Sequence, residues 1–222
     1  MLRKIFFCAL MLAALLLTGC GEEKVVGTPD KAILAYSEIV TRGESANMEA
    51  AGFSAEDNKN LRNMIMKTFA ESFNSIVPLS DASADELAKT FYENNKAKMN
   101  FQAKVKTEDA ERPIVELTTT PLDMNNASMT PEPDDELIAL LGMIGKLKSD
   151  GATDEQLKEN PEVQKLAIDA FGKYLVKLPI QEKKTCEIAC KKVEGTDGKI
   201  HWAPDDVNAL MDFIMTGKTN NQ

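Results

Sequence analysis

Met99-Asn-Phe-Gln-Ala-Lys-Val-Lys106 is the stretch that decides the fold. Met99, Phe101, Ala103 and Val105 alternate with Asn100, Gln102, Lys104 and Lys106. A period of two marks a strand with one face buried and the other in water. Thr107-Glu-Asp-Ala-Glu-Arg112 follows as a polar turn, and Ile114-Val-Glu-Leu-Thr-Thr-Thr120, rich in β-branched residues, reads as the returning strand. The spacing predicts an antiparallel hairpin of 98–106 with 113–122. A second pair is expected late in the chain: Lys183 to Val193, a Gly195-Thr-Asp-Gly198 turn, and Lys199-Ile-His-Trp202.

Outside these pairs the apolar residues recur at helical spacing. Thr28-Pro29-Asp30 opens a helix carrying Ala32, Ile33, Tyr36, Ile39 and Val40, and Gly43 closes it. A second helix is expected over about 56–76, with Leu61, Met64, Ile65, Phe69 and Phe73 on one stripe. Pro78 ends it, and Ser80 or Asp81 caps a third near 82–97. Asn125 to Pro133 reads as a loop. Helices follow over Asp134–Lys148 and about 161–177, with a capping box at Thr153 and Gln156 between them. Ala203-Pro-Asp-Asp206 is expected to start the last helix, which Gly217 ends.

Helices in blocks and strands in hairpins give an α+β class: an antiparallel curved sheet of hairpins with helices packed on one face. The alternation of strand and helix that a doubly wound sheet needs is missing. The expected domain is a single one over 29–217, with a helical insertion at about 134–178 and a polar tail at 218–222.

A short tether leads to the aromatic-bearing helix Pro29 to Tyr36. Phe91-Tyr92 precedes the strand Met99 to Val105, and Ile114 to Leu117 returns. A closing segment runs through Lys-Lys-Val-Glu-Gly195, Trp202, Leu210 and Gly217. Together these features resemble the DUF5105-like lipoproteins of Firmicutes-type bacteria. The pattern is also similar to cystatin-like and NTF2-like sheets, which host binding modules and enzymes alike. The resemblance implies no catalytic residues.

The N-terminus carries the clearest motif. Arg3 and Lys4 precede an apolar run from Ile5 to Leu17, and Leu17-Thr18-Gly19-Cys20 closes it. That order is a secretory signal, and its ending resembles a bacterial lipobox. The expected mature chain is cut between Gly19 and Cys20 and acylated on Cys20, with 20–28 as a tether. An apolar run of 13 residues is too short to span a bilayer, which takes about 20. The expected location is extracytoplasmic and lipid-anchored, at the cell membrane or outer membrane. Loss of Arg3 and Lys4 with the signal moves the formal charge from −9 to −11. So acidic a chain lacks the basic face that nucleic acid requires, and acidic headgroups would not attract it.

Of four cysteines, Cys8 leaves with the signal and Cys20 takes lipid. Cys186 and Cys190, if in a strand, stand about 13 Å apart on one face, beyond the ~7 Å that a disulfide bridges. Buried free thiols are expected there, although a helical turn would reverse that geometry. One histidine and two thiols fall short of a structural zinc site. His201, the sole histidine, is expected to face solvent opposite a buried Trp202. The hydrolase elbow, the P-loop and the dinucleotide fingerprint are all missing from the sequence. Asp134-Asp135-Glu136 and Asp205-Asp206 sit at expected helix starts, where the helix dipole alone accounts for them. No catalytic residue, cofactor or metal is therefore expected. The expected partners are the membrane, through the lipid, and an unknown protein or small-molecule ligand. An alternative is an enzyme with an acidic pair in an NTF2-like pocket. If a pocket exists, the sheet's concave face predicts its lining at Tyr36, Phe101, Tyr174 and Trp202.

Overall fold

A computed structural model describes residues 24–74, 76–124 and 135–219. The signal segment 1–19, the cut site Gly19/Cys20, residues 21–23, the loop expected within 125–134 and the end of the tail at 220–222 lie outside the described residues. The described chain runs α1 (Pro29–Arg42), α2 (Ala55–Asn74), α3 (Asp81–Lys98), β1 (Phe101–Thr107), β2 (Ile114–Thr119), α4 (Asp135–Ser149), α5 (Asp154–Glu159), α6 (Pro161–Lys177), β3 (Lys184–Glu194), β4 (Ile200–Pro204) and α7 (Val207–Thr216).

The four strands form one open antiparallel sheet in the order β1-β2-β3-β4. The expected hairpin is present, with Phe101 opposite Thr119 and Val105 opposite Val115, and its register shifts between Val105 and Thr107. β3 returns after three helices to pair with β2, placing Leu117 opposite Cys186 and Val115 opposite Ile188. Period-two alternation sends Val115, Leu117, Cys186, Ile188 and Cys190 inward. α1 packs against β1, β2 and β4, and α3 packs on α1. α6 then joins α3 to α4 and α5. Phe69, Phe73, Phe91 and Phe171 interlock between these helices at ring separations of 4.9–5.5 Å.

Local sequence explains most of the boundaries. Pro29 sits in the first turn of α1, although Thr28 makes no side-chain cap, and Gly43 closes the helix at φ +68°. Ser80 Oγ accepts from Ser83 N to start α3. Thr153 and Gln156 form the reciprocal capping box of α5. Asn160 Oδ1 accepts from the amides of Glu162 and Val163 to start α6. Met99 is fully buried at the end of α3, one step before the sheet. β4 continues through Ala203 and Pro204, so the last helix starts later than expected, with Asp206 as its cap.

Two expectations need correction. The tether expected over 20–28 is docked in its described part. Val26 N donates to Ile200 O at 2.7 Å and bridges His201 in parallel, and Val25 packs on the core. Glycines permit this clasp. A Cβ on Gly27 would lie 2.5 Å from Ala51 backbone, and one on Gly52 would lie 2.9 Å from Val26 O. The second correction is His201, which is 4% exposed rather than solvent-facing. Residues distant in sequence cover it: Val26 pairs along its strand, and the Phe53 ring stands 4.2 Å away.

Cys186 and Cys190 are buried and free. Burial, aided by Glu187 and Asp205 respectively, pushes each thiol up to about 12. The thiolate is the reactive form, so both should resist alkylation. Titrating the folded protein with a thiol reagent should modify neither, and titrating it in denaturant should modify both. Prompt reaction in buffer would mean that β3 opens.

Candidate functional site

Alternation that buries Leu117 and Cys186 turns Gln102, Thr118 and Thr185 to the open face of the sheet. Thr118 stands opposite both, and its Oγ1 lies 2.9 Å from Thr185 Oγ1. Beside this row a cavity of about 270 Å³ is lined by Asn100, Gln102, Thr118, Thr119, Thr120 and Lys183. Hydroxyls, amides and one ammonium offer donors and acceptors to a neutral polar or anionic ligand. They offer no nucleophile paired with a base.

The next row across the sheet is charged. Lys104 Nζ stands 2.7 Å from Glu116, and Lys106 pairs with Glu187. Glu116 and Glu187 are direct cross-strand partners, so two carboxylates do face one another. They lie on the open sheet rather than in a deep pocket. The Lys104 hydrogen bond holds the Glu116 carboxyl below the usual range. A general acid needs the opposite shift. The other acidic pair is divided: Asp206 caps α7, while Asp205 pairs with Arg112.

The four residues expected around a pocket have separate surroundings. Tyr36 packs edge-on against Phe53 at 5.5 Å. Phe101 lies under the Arg42 guanidinium at 5.4 Å, and Trp202 under Lys192 at 6.0 Å. Tyr174 is half-buried on α6. None of them lines the cavity above, nor a second depression of about 350 Å³ formed by Leu147, Asp150–Ala152, Gln156, Leu157 and Asn160. Side chains fill the space that the sequence left open.

A buried knot lies where the clasp meets β4. Phe53 stands between Tyr36 and His201, and burial with the charge of Asp57 raises Tyr36 to about 12. Asp57 accepts from Ser54 N at 3.0 Å and Thr196 N at 2.8 Å, which ties the β3–β4 turn to the start of α2. Burial works to raise the Asp57 pKa, but these hydrogen bonds outweigh it and hold the carboxyl low. His201 Nδ1 is buried without a hydrogen-bond partner. Desolvation lowers the His201 pKa, partly offset by Asp57, Asp197 and the Lys199 backbone, which lies near the ring but too poorly aligned for a true hydrogen bond. The unfolded chain therefore takes up a proton near pH 6.5 that the folded one refuses. Stability should be complete above that pH and fall as the pH drops below it. Urea unfolding of wild type and His201→Phe on both sides of that pH checks this, since the variant should lose the slope.

Exposed large apolar side chains are few among the described residues. Ile138 (58%) and Leu141 (49%) project from α4, and Val176 and Ile180 stand at the end of α6 and beyond it. No helix among the described residues is long and apolar enough to cross a membrane. No group of three or more His, Cys, Asp or Glu among them is placed to hold a metal ion.

Fold and site together define an α+β domain with helices on one face of its sheet and a polar surface on the other. The chain belongs to the DUF5105 family, described as a domain of unknown function, which it matches over residues 22–216. Its fold is similar to the crystal structure of ycdA from Bacillus subtilis subsp. subtilis str. 168, a candidate lipoprotein. The TM-score is 0.54 at 19% identity, over 86% of this chain and 56% of that one. The chain thus spans little more than half the length of that relative. No curated protein matches it.

Proposed function

We propose that this chain is a lipid-anchored domain of the cell envelope that binds a protein or small-molecule ligand without transforming it. The anchor is acylated Cys20, at the end of a signal with the lipobox order Leu17-Thr-Gly-Cys20. The observation that carries the binding role is the open basin at Asn100, Gln102, Thr118, Thr120 and Lys183. Hydrogen-bonding groups converge there on a strand-built surface, the rigid kind of support that recognition favours. The burial of His201 and the lysine-held Glu116 also favour binding over acid–base catalysis.

A photo-crosslinking side chain placed at Gln102 in living cells tests this, with the same group at exposed Glu155 as control. One consistent adduct at 102, absent at 155, supports the basin. A small ligand would instead appear as added mass in native mass spectra, lost on Lys183→Ala. Identical adducts at both positions, with no bound mass, would overturn the assignment.

A further inference from the structure

We infer that the anchor also orients the domain, holding the clasped end toward the bilayer and the Asn100–Lys183 basin at the far end. The inference rests on the lipid-anchor reading above. Its structural basis is where the described chain first docks on the domain. The clasp fixes the backbone at Val26 by the 2.7 Å hydrogen bond to Ile200 and the bridge to His201. Gly27 and Gly52 lock it against Ala51 and Val26 so closely that a Cβ at either would collide. From Cys20 to Val26 the chain advances six residues, which span at most about 20 Å when fully extended. The bilayer surface therefore lies within that distance of the clasp.

The longest strand fixes where the basin stands. Val26 pairs with His201, and His201 pairs with Val193 near the end of β3. Thr185 lies at the other end of that strand with Lys183 just before it, and Thr185 faces Thr118 in the basin row. From Val193 back to Lys183 is ten residues, about 30 Å at strand rise. The anchor and the basin thus occupy opposite ends of one rigid element. The clasped end exposes Glu49, Glu194 and Asp197 beside Lys24 and Lys199, so it has no basic surface to adhere to headgroups. Tether length, rather than charge, holds it near the membrane, and the orientation should persist in high salt.

The buried thiols make the test clean, since an added cysteine becomes the reactive one. Lipidated protein carrying Glu49→Cys or Lys183→Cys is labelled with a donor fluorophore and placed in phosphatidylcholine vesicles bearing a headgroup acceptor. Energy transfer from position 49 should exceed that from 183 by at least about twofold, given the ~30 Å separation. A flexible Gly-Ser insert of about ten residues between Glu23 and Lys24 should erase the difference. Equal transfer at both positions in protein that floats with the vesicles overturns the orientation and leaves the anchor standing. Protein that fails to float overturns the anchor and the orientation with it.

Discussion

Cys20→Ser should move the protein out of the washed membrane fraction. In the wild type, lipid is the whole of the proposed attachment. Each buried CH₂ contributes about 0.8 kcal/mol, and one acyl chain alone binds only marginally, so firm retention needs two or more. The described residues contain no spanning helix, and a charge of −11 without the signal works against acidic headgroups. Serine cannot be thioether-linked to diacylglycerol. Two products are therefore expected from the variant, and intact mass separates them. A precursor retaining residues 1–19 would stay membrane-bound through its apolar run, whereas any chain cut before position 20 should be recovered in the supernatant. A processed Cys20→Ser chain that survives detergent-free washing would show attachment through some other surface, and both the anchor and the orientation would fall.

Gln164→Leu should strongly destabilise the helical layer. Gln164 lies on α6 and is 8% exposed. Its amide nitrogen donates to Pro78 O at 2.9 Å and Leu157 O at 3.0 Å, and its oxygen accepts from Ser80 N at 2.8 Å. One side chain thus holds the entry to α3 and the last turn of α5 against α6. Leucine has a similar volume but leaves Pro78 O and Ser80 N without partners, while Leu157 O keeps only the longer bond from Asn160 N at 3.3 Å. A buried unsatisfied group costs about 1–3 kcal/mol, so a loss of about 2–5 kcal/mol is expected from the two. Domains of this kind carry only about 5–15 kcal/mol of stability. The urea midpoint should fall steeply at unchanged slope. A loss under about 1 kcal/mol would mean that water replaces the amide.

Gln164 also shows what the sequence can convey and what it cannot. The alternation in Met99–Lys106 is a local signal, and it places the β1–β2 hairpin to within a few residues. The capping box at Thr153, Pro161 in the first turn of α6 and Gly217 after α7 are local chemistry too, and they mark real boundaries. Gln164 interrupts the apolar stripe of α6, so by pattern alone it belongs to water. Its burial depends on two carbonyls and an amide brought from 7 to 86 positions away. His201 departs from its expected exposure for the same reason, because Phe53 and Val26 cover it from far along the chain. Tyr36, Phe101 and Trp202 are legible as inward aromatics. That Phe53, Arg42 and Lys192 occupy the space around them is not. The Asn100–Lys183 basin gives no signal beyond polar residues on a strand's wet side, which most half-buried strands have.

Strand β1 has a further consequence if the chain is confined to a surface as proposed. It is the terminal strand of an open sheet, and a bare edge invites a neighbour's strand to dock and propagate. Copies crowded in two dimensions meet far more often than copies free in solution. Lys104 and Lys106 place charge along that border, and the register shift after Val105 bends it out of line. Both features make the edge a poor template, so chains held on a membrane as proposed would be kept from zipping into fibres.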